Sequence, residues 1–268
     1  MEDQEIAERL DAARRFCVQG GKLTLNWFRD QGVGFERKLD ASPVTVADRS
    51  AEQLIRQLIS ENFPEDGILG EEFPEKPGTN QVRWILDPID GTKSFISGVP
   101  LYGTMVGVEV DGQAKIGAIY MPGLDEGAFA AIGHGAWVFQ GSDPPQRSHV
   151  RHREKIQDAV ILTSEVEAFS TRNADPVFRE LSKKSYFVRT WGDCYGYFLV
   201  ASGRADVMID PILNIWDAAA VAPIISEAGG LFIDWAGHPR IDAGEALGIA
   251  AGLVSEVLEI TKPFSGKF

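Results

Sequence analysis

Trp84-Ile85-Leu86-Asp87-Pro88-Ile89-Asp90-Gly91-Thr92-Lys93-Ser94-Phe95 is the stretch on which the reading of this chain turns. Residues 82–86 are apolar and β-prone and follow Pro77, Gly78 and Asn80, a pattern that predicts a buried strand. Pro88 has no N–H and disfavours helix at Asp87, so the strand is predicted to end there in a turn. That turn carries two carboxylates three residues apart, then Gly91, Thr92, Lys93 and Ser94. Crowded carboxylates repel unless a cation lies between them, and Mg²⁺ takes carboxylate and carbonyl oxygens. Gly91 lets backbone N–H groups approach an anion closely, with the Thr92 hydroxyl beside them. Asp, Pro and Gly also make ordinary surface turns. Acidic residues elsewhere decide between the two readings.

Upstream, residues 4–29 predict an amphipathic helix that buries Ile6, Leu10, Ala13 and Cys17, with Gly20-Gly21 loosening or kinking it. Residues 44–46 are extended, and Asp48 is predicted to cap a helix over 49–59. A cap would by itself account for Asp48. Ile68-Leu69 predicts a short strand that delivers Glu71 into a loop, so two short buried strands end in acids.

Downstream, hairpins are predicted around Asp111-Gly112 and around Gly133-His134-Gly135. The basic stretch 147–155, with His149 and His152, reads as a solvated connector. A strand at 160–162, a helix at 176–182, a strand at 186–188 and a helix at 192–202 follow. The strand at 207–209 ends at Asp210. Asn214 opens a helix predicted to run to about residue 227, stopped by Gly229-Gly230. Asp217 lies in its first turn, where helix-end electrostatics alone would favour an acid. Strands dominate the middle and helices flank both ends, which predicts layered α and β.

The 268 residues suffice for one large domain or two packed halves. The formal net charge of −13 argues against a nucleic-acid or anionic-membrane footprint. Two cysteines, Cys17 and Cys194, make no disulfide framework and fit a reducing compartment. The acidic start resembles no signal peptide, and no apolar run is long enough to span a membrane. A cytoplasmic protein is expected.

Four segments, in order, resemble the inositol monophosphatase family of Mg²⁺-dependent, lithium-sensitive phosphatases: Ser42-Pro43-Val44-Thr45 with Asp48, Gly70-Glu71-Glu72, Asp87-Pro88-Ile89-Asp90-Gly91-Thr92 with Phe95, and Trp216-Asp217-Ala218-Ala219. The resemblance implies an α+β fold, a layered α–β–α–β–α sandwich. It implies one domain over 1–268, in halves of about 1–145 and 146–268, and usually a homodimer. By position, Glu71, Asp87 and the Ile89 carbonyl would hold a first Mg²⁺; Asp87, Asp90 and Asp217 would hold a second. Two or three ions per subunit are implied, with Mn²⁺ able to substitute. Gly91 and Thr92 N–H groups would bind phosphate, and Thr92 hydrogen-bonded to Asp48 would orient and deprotonate a metal-activated water, with Glu71 also in the catalytic set.

The substrate implied is a small phosphorylated alcohol. Three stretches look closer to the histidinol-phosphate phosphatase branch, in histidine biosynthesis, than to the inositol branch. They are Asp90–Thr104 (90–104), Trp191-Gly192-Asp193-Cys194-Tyr195-Gly196-Tyr197, and Lys38 with Ser42–Thr45 (42–45). Histidinol phosphate carries an amine and an imidazole, and Asp193 and Asp210 are candidates to meet them, with Asp217 near the ester. For Asp193 a helix cap is the competing account. Inositol 1-phosphate, another small monoester, or a non-catalytic binding role on the same scaffold are the alternatives.

Overall fold

The apolar run at Val82 forms a strand as predicted, but the strand does not stop at Pro88. In the computed structural model, which describes residues 2–30, 34–37 and 43–266, it spans Val82–Asp90. The elements in chain order are α1 (Asp3–Thr24), β1 (Phe35–Arg37), β2 (Pro43–Thr45), α2 (Val46–Asn62), β3 (Gly67–Gly70), β4 (Val82–Asp90) and α3 (Thr92–Ile96). Next come β5 (Gly103–Val110), β6 (Gln113–Met121), β7 (Glu126–Ala131), β8 (Gly135–Gln140), β9 (Gln146–Arg147) and β10 (Val160–Leu162). Then follow α4 (Glu167–Thr171), α5 (Asp175–Lys184), β11 (Phe187–Arg189), α6 (Asp193–Ala201), β12 (Val207–Asp210), α7 (Ile215–Ala219) and α8 (Val221–Glu227). The described chain closes with β13 (Gly230–Ile233), β14 (Ala246–Ala250) and α9 (Val254–Thr261).

Strands β3 to β9 form a seven-stranded sheet in sequence order, parallel only between β3 and β4. A five-stranded sheet has the order β11-β10-β12-β14-β13. The pairing of β4 with β5 is regular to Asp87↔Met105 and then shifts before Asp90↔Gly103. Pro88 sits inside that shift, where its missing donor breaks no regular ladder.

Alternation sorts the side chains of each sheet. Trp84, Leu86, Val106 and Val108 face Phe16, Ile55 and Ile59 of α1 and α2. Met105, Ile119 and Met121 face the other way and join α6, α8 and the inner residues Val160, Leu162 and Met208 of the small sheet. Ile161, Ile209 and Ile249 pack outward against α4, α5 and α9. The result is the α–β–α–β–α layering expected from the sequence.

Several local expectations are corrected. Helix α1 ends at Thr24 and passes unbroken through Gly20 and Gly21, which are buried where a Cβ would meet Ile55 Cδ1 at 2.5 Å or Tyr120 Cδ1 at 2.7 Å. Close packing, not flexibility, calls for glycine there. Helix α2 starts earlier than predicted and is capped by Thr45, with Asp48 answering as the third residue of a capping box. The helix opened by Asn214 is split at Ala220, because Pro223 cannot donate to the Ala219 carbonyl four residues back. In the basic connector, Arg151 and Arg153 are docked on the buried Asp206. Lys38 and Ser42, singled out in the sequence, lie outside the described residues. Among the described residues, no helix is long and apolar enough to cross a membrane.

Candidate active site

Acids that lie as far apart in sequence as Glu71 and Asp217, 146 positions, meet at one end of the gap between the sheets. Parallel pairing of β3 with β4 ends at Gly70↔Leu86, and the Glu71 N–H donates to the Leu86 carbonyl at 3.2 Å. Glu71 therefore leaves the sheet beside Asp87. Asp217 comes from the first turn of α7, where it closes a capping box with Asn214, accepting that residue's N–H at 2.6 Å. Helix α7 reaches the sheet because Gly107 and Gly117 carry no side chain. A Cβ on Gly107 would lie 2.8 Å from the Ala219 backbone, and one on Gly117 would overlap the Ala220 carbonyl.

One carboxylate oxygen from each of Asp87, Asp90 and Asp217 lies within 4.8 Å of the others. Asp87 is buried, whereas Asp90 and Asp217 are partly open to the cleft. Burial drives the Asp87 carboxyl well above the usual range, and Glu71, Asp90 and Asp217 raise it further. Asp90 is raised by burial and by Asp193 and Asp217, against the opposing pull of the Cys194 N–H. Burial pushes Asp217 up to about 7, opposed by the Asn214 N–H. Three carboxylates this close, raised by burial and mutual repulsion, suit a hard cation that takes oxygen ligands. Glu71 stands outside the tight trio but near enough to raise both Asp87 and Asp217.

The turn after β4 is drawn tight around these groups. The Ile89 N–H donates to Asp87 Oδ1 at 3.0 Å, and the Thr92 hydroxyl donates to the Ile89 carbonyl at 3.0 Å. This differs from the expected Thr92–Asp48 bond. Oδ2 of Asp48 instead accepts both the Thr45 N–H, at 2.7 Å, and its hydroxyl, at 2.6 Å. Oδ1 of Asp48 is buried without a hydrogen-bond partner, and burial pushes this carboxyl up to about 6. Gly91 has φ +83°, a conformation glycine adopts without strain, and leads into α3. The first N–H groups of that helix have no helical acceptor.

On the other side of the trio lies a cavity of about 340 Å³. Its charged lining is Asp90, Glu165, Glu167, Asp193, Asp210 and Asp217, and none of the described residues lining it is basic. Asp193 and Asp210, both expected here, are joined through Ser164. The Ser164 hydroxyl donates to Asp210 Oδ1 at 2.7 Å and accepts the Asp193 N–H at 2.8 Å, while the Tyr197 hydroxyl donates to Asp210 Oδ2 at 3.0 Å. Burial pushes Asp210 up to about 6, and burial with the Asp210 charge pushes Asp193 up to about 7. Asp193 opens α6 with φ +55°, and its Oδ2 would lie 2.9 Å from a Cβ on Gly91. It is both a first-turn helix acid and a wall of the cleft.

A second cavity of about 340 Å³ adjoins the first, lined by Gly91, Thr92, Lys93, Ser94, Glu165 and Asp193 among others. Between them the Lys93 ammonium pairs with both oxygens of Glu165, at 2.7 and 2.9 Å. Nothing in the sequence reading points to Ser164, Glu165 or Glu167, and Tyr197 enters it only within the 191–197 stretch. The one available signal was a pair of acids just beyond the 160–162 strand, the same strand-end position as Glu71.

The profile of the inositol monophosphatase family matches residues 6–261. A histidinol-phosphatase of Chlorobaculum parvum is 47% identical over 89% of this chain and 90% of its own length. A histidinol-phosphatase of Streptomyces coelicolor is 34% identical over 88% and 90%. Among solved structures, the Thermotoga maritima IMPase superposes with a TM-score of 0.83 at 27% identity, covering 96% of this chain and 98% of that one.

Proposed function

This chain belongs to the inositol monophosphatase family and is a phosphate monoester hydrolase, and we propose that its substrate is histidinol phosphate, with Mg²⁺ as cofactor. The observation that carries the substrate is the cavity beside the carboxylate trio, whose charged lining is wholly acidic. With Asp90 and Asp217 given to metal, Glu165, Glu167, Asp193 and Asp210 remain; the hydroxyls of an inositol ring can donate to them but bring no charge to balance them. An alcohol portion with an ammonium and an imidazole matches them in sign. The names of two similar proteins agree with this reading.

In this proposal Asp87, Asp90 and Asp217, with Glu71 and the Ile89 carbonyl, hold two or three Mg²⁺, which Mn²⁺ can replace. When bound, such ions supply a nucleophile at neutral pH and neutralise charge on the transferring phosphoryl group. The residues of the chain do the rest. Gly91 and Thr92 present backbone N–H groups to the phosphate. Asp193 and Asp210, fixed by Ser164 and Tyr197, orient the alcohol portion through its cationic groups. Thr92 and Asp48 are the residues we assign to the proton: Asp48 Oδ1 is the unpartnered acceptor, and the Thr92 hydroxyl, which donates to the Ile89 carbonyl here, would have to turn from it to reach Asp48. We further propose one domain over 1–268, in halves of about 1–145 and 146–268, acting as a lithium-sensitive homodimer in the cytoplasm, in histidine biosynthesis.

The test is kcat/KM for histidinol phosphate and inositol 1-phosphate side by side with Mg²⁺. A preference of about a hundredfold or more for histidinol phosphate, roughly 2.7 kcal/mol of transition-state discrimination, is expected. Equal rates, or the reverse preference, would replace this substrate with inositol phosphate or a broad monoester set.

A further inference from the structure

We propose that the Lys93–Glu165 ion pair is a specificity latch which the substrate takes apart from both ends, its phosphate taking Lys93 and a cation on its alcohol portion taking Glu165. The proposal rests on the phosphatase reading above and adds two residues to it.

Lys93 stands at the second position of α3, directly after the turn that carries Gly91 and Thr92. Glu165 follows β10 in the other half of the chain, 72 residues away. The pair therefore closes across the cleft. Among the described residues lining the two cavities, Lys93 is the single basic one, and Glu165 lines both. The cavity that holds Lys93 also holds Gly91 and Thr92, where the phosphate is assigned. The cavity on the far side of Glu165 is the acidic one.

Both side chains are largely exposed, at 70% and 52%. A pair of this kind is weak and easily exchanged. A phosphate seated at Gly91 and Thr92 offers Lys93 a doubly charged partner. When Lys93 turns to it, Glu165 loses its counter-ion beside Glu167, Asp193 and Asp210, the lining acids not assigned to metal. A substrate with a neutral alcohol portion leaves that charge unanswered. One with an ammonium or imidazolium restores the balance, so the latch penalises neutral monoesters rather than merely attracting cationic ones.

The experiment is steady-state kinetics with Mg²⁺ on histidinol phosphate and inositol 1-phosphate, for the unaltered protein, Glu165→Gln, Lys93→Gln and the reversed pair Lys93→Glu/Glu165→Lys. In Glu165→Gln the ratio of the two kcat/KM values is expected to fall about tenfold, mainly through KM, by loss on histidinol phosphate and gain on inositol 1-phosphate. Lys93→Gln is expected to raise KM for both. The reversed pair is expected to stay poor on both, since it faces the phosphate with a carboxylate. Recovery of the original ratio in the reversed pair would make the bridge a mere strut and overturn the proposal. So would equal losses on both substrates in Glu165→Gln. Failure of the unaltered protein to hydrolyse any monoester would instead remove the functional reading, and this proposal with it.

Discussion

The backbone N–H of Cys194 donates to Oδ2 of Asp90, 104 residues earlier in the chain. The first turn of α6 thus fixes the last carboxylate of β4. One hydrogen bond ties the cleft's acidic cavity to the oxygen cluster that we assign to metal.

Asp90→Asn keeps an oxygen for the Cys194 N–H but removes one charge from the trio. Mg²⁺ affinity is expected to fall at least about tenfold and turnover about a hundredfold or more. Titration calorimetry and phosphate release check the two numbers. Full activity at ordinary Mg²⁺ would remove Asp90 from the metal set.

Stability without metal carries a definite sign with pH. The Asp193 and Asp217 carboxyls are pushed up to about 7 in the folded protein, above their ordinary value of 3.8. A carboxyl raised on folding opposes folding only as it ionises, so its unfavourable contribution is absent below about pH 4 and complete once pH passes about 7. In chelator, Asp217→Asn is therefore expected to gain thermal stability relative to the unaltered protein as pH rises across this window. Mg²⁺ is expected to erase the gain. A difference in melting temperature that stays flat with pH would refute this.

Asp193→Asn is a mild change for the backbone, because asparagine tolerates the left-handed conformation that Asp193 adopts at φ +55°. The variant is expected to fold normally and to lose about tenfold more kcat/KM on histidinol phosphate than on inositol 1-phosphate. Equal loss on both would reduce Asp193 to a helix-start residue.

Gly107→Ala places a methyl group 2.8 Å from the Ala219 backbone and pushes α7 off the sheet. The expected loss of stability is about 1–3 kcal/mol. Mg²⁺ affinity should fall as well, because Asp217 rides on that helix. Unfolding in denaturant and metal titration separate the two effects.

Much of the carboxylate cluster is legible in local sequence. Strand-ending acids (Glu71, Asp87, Asp210) and a helix-opening acid (Asp217) announce themselves through local pattern, because turn chemistry and capping depend on near neighbours in sequence. Other features escaped for physical reasons. Pro88 as a strand stop misled, since a register shift accommodates it within β4. Gly20-Gly21 suggested a kink until Ile55 and Tyr120, distant in sequence, showed why no side chain fits. Ser164, Glu165 and Tyr197 take their roles only when the second sheet folds over the first, and no window of neighbours records that.

Arg172 is almost wholly enclosed, pairs with the equally buried Glu245, and donates to the Pro211 carbonyl at 2.8 Å. Its guanidinium also lies over the Trp235 ring. Pro211 is a buried member of the acidic cavity's lining, whereas Glu165 and Glu167 are exposed members of it. The two sides of the cavity are therefore unequal in how fast they can move. Amide exchange with deuterated water should be slow on the Arg172-anchored side and fast on the other. The acidic cavity is thus held firmly where Arg172 anchors it and loosely where the two glutamates meet solvent.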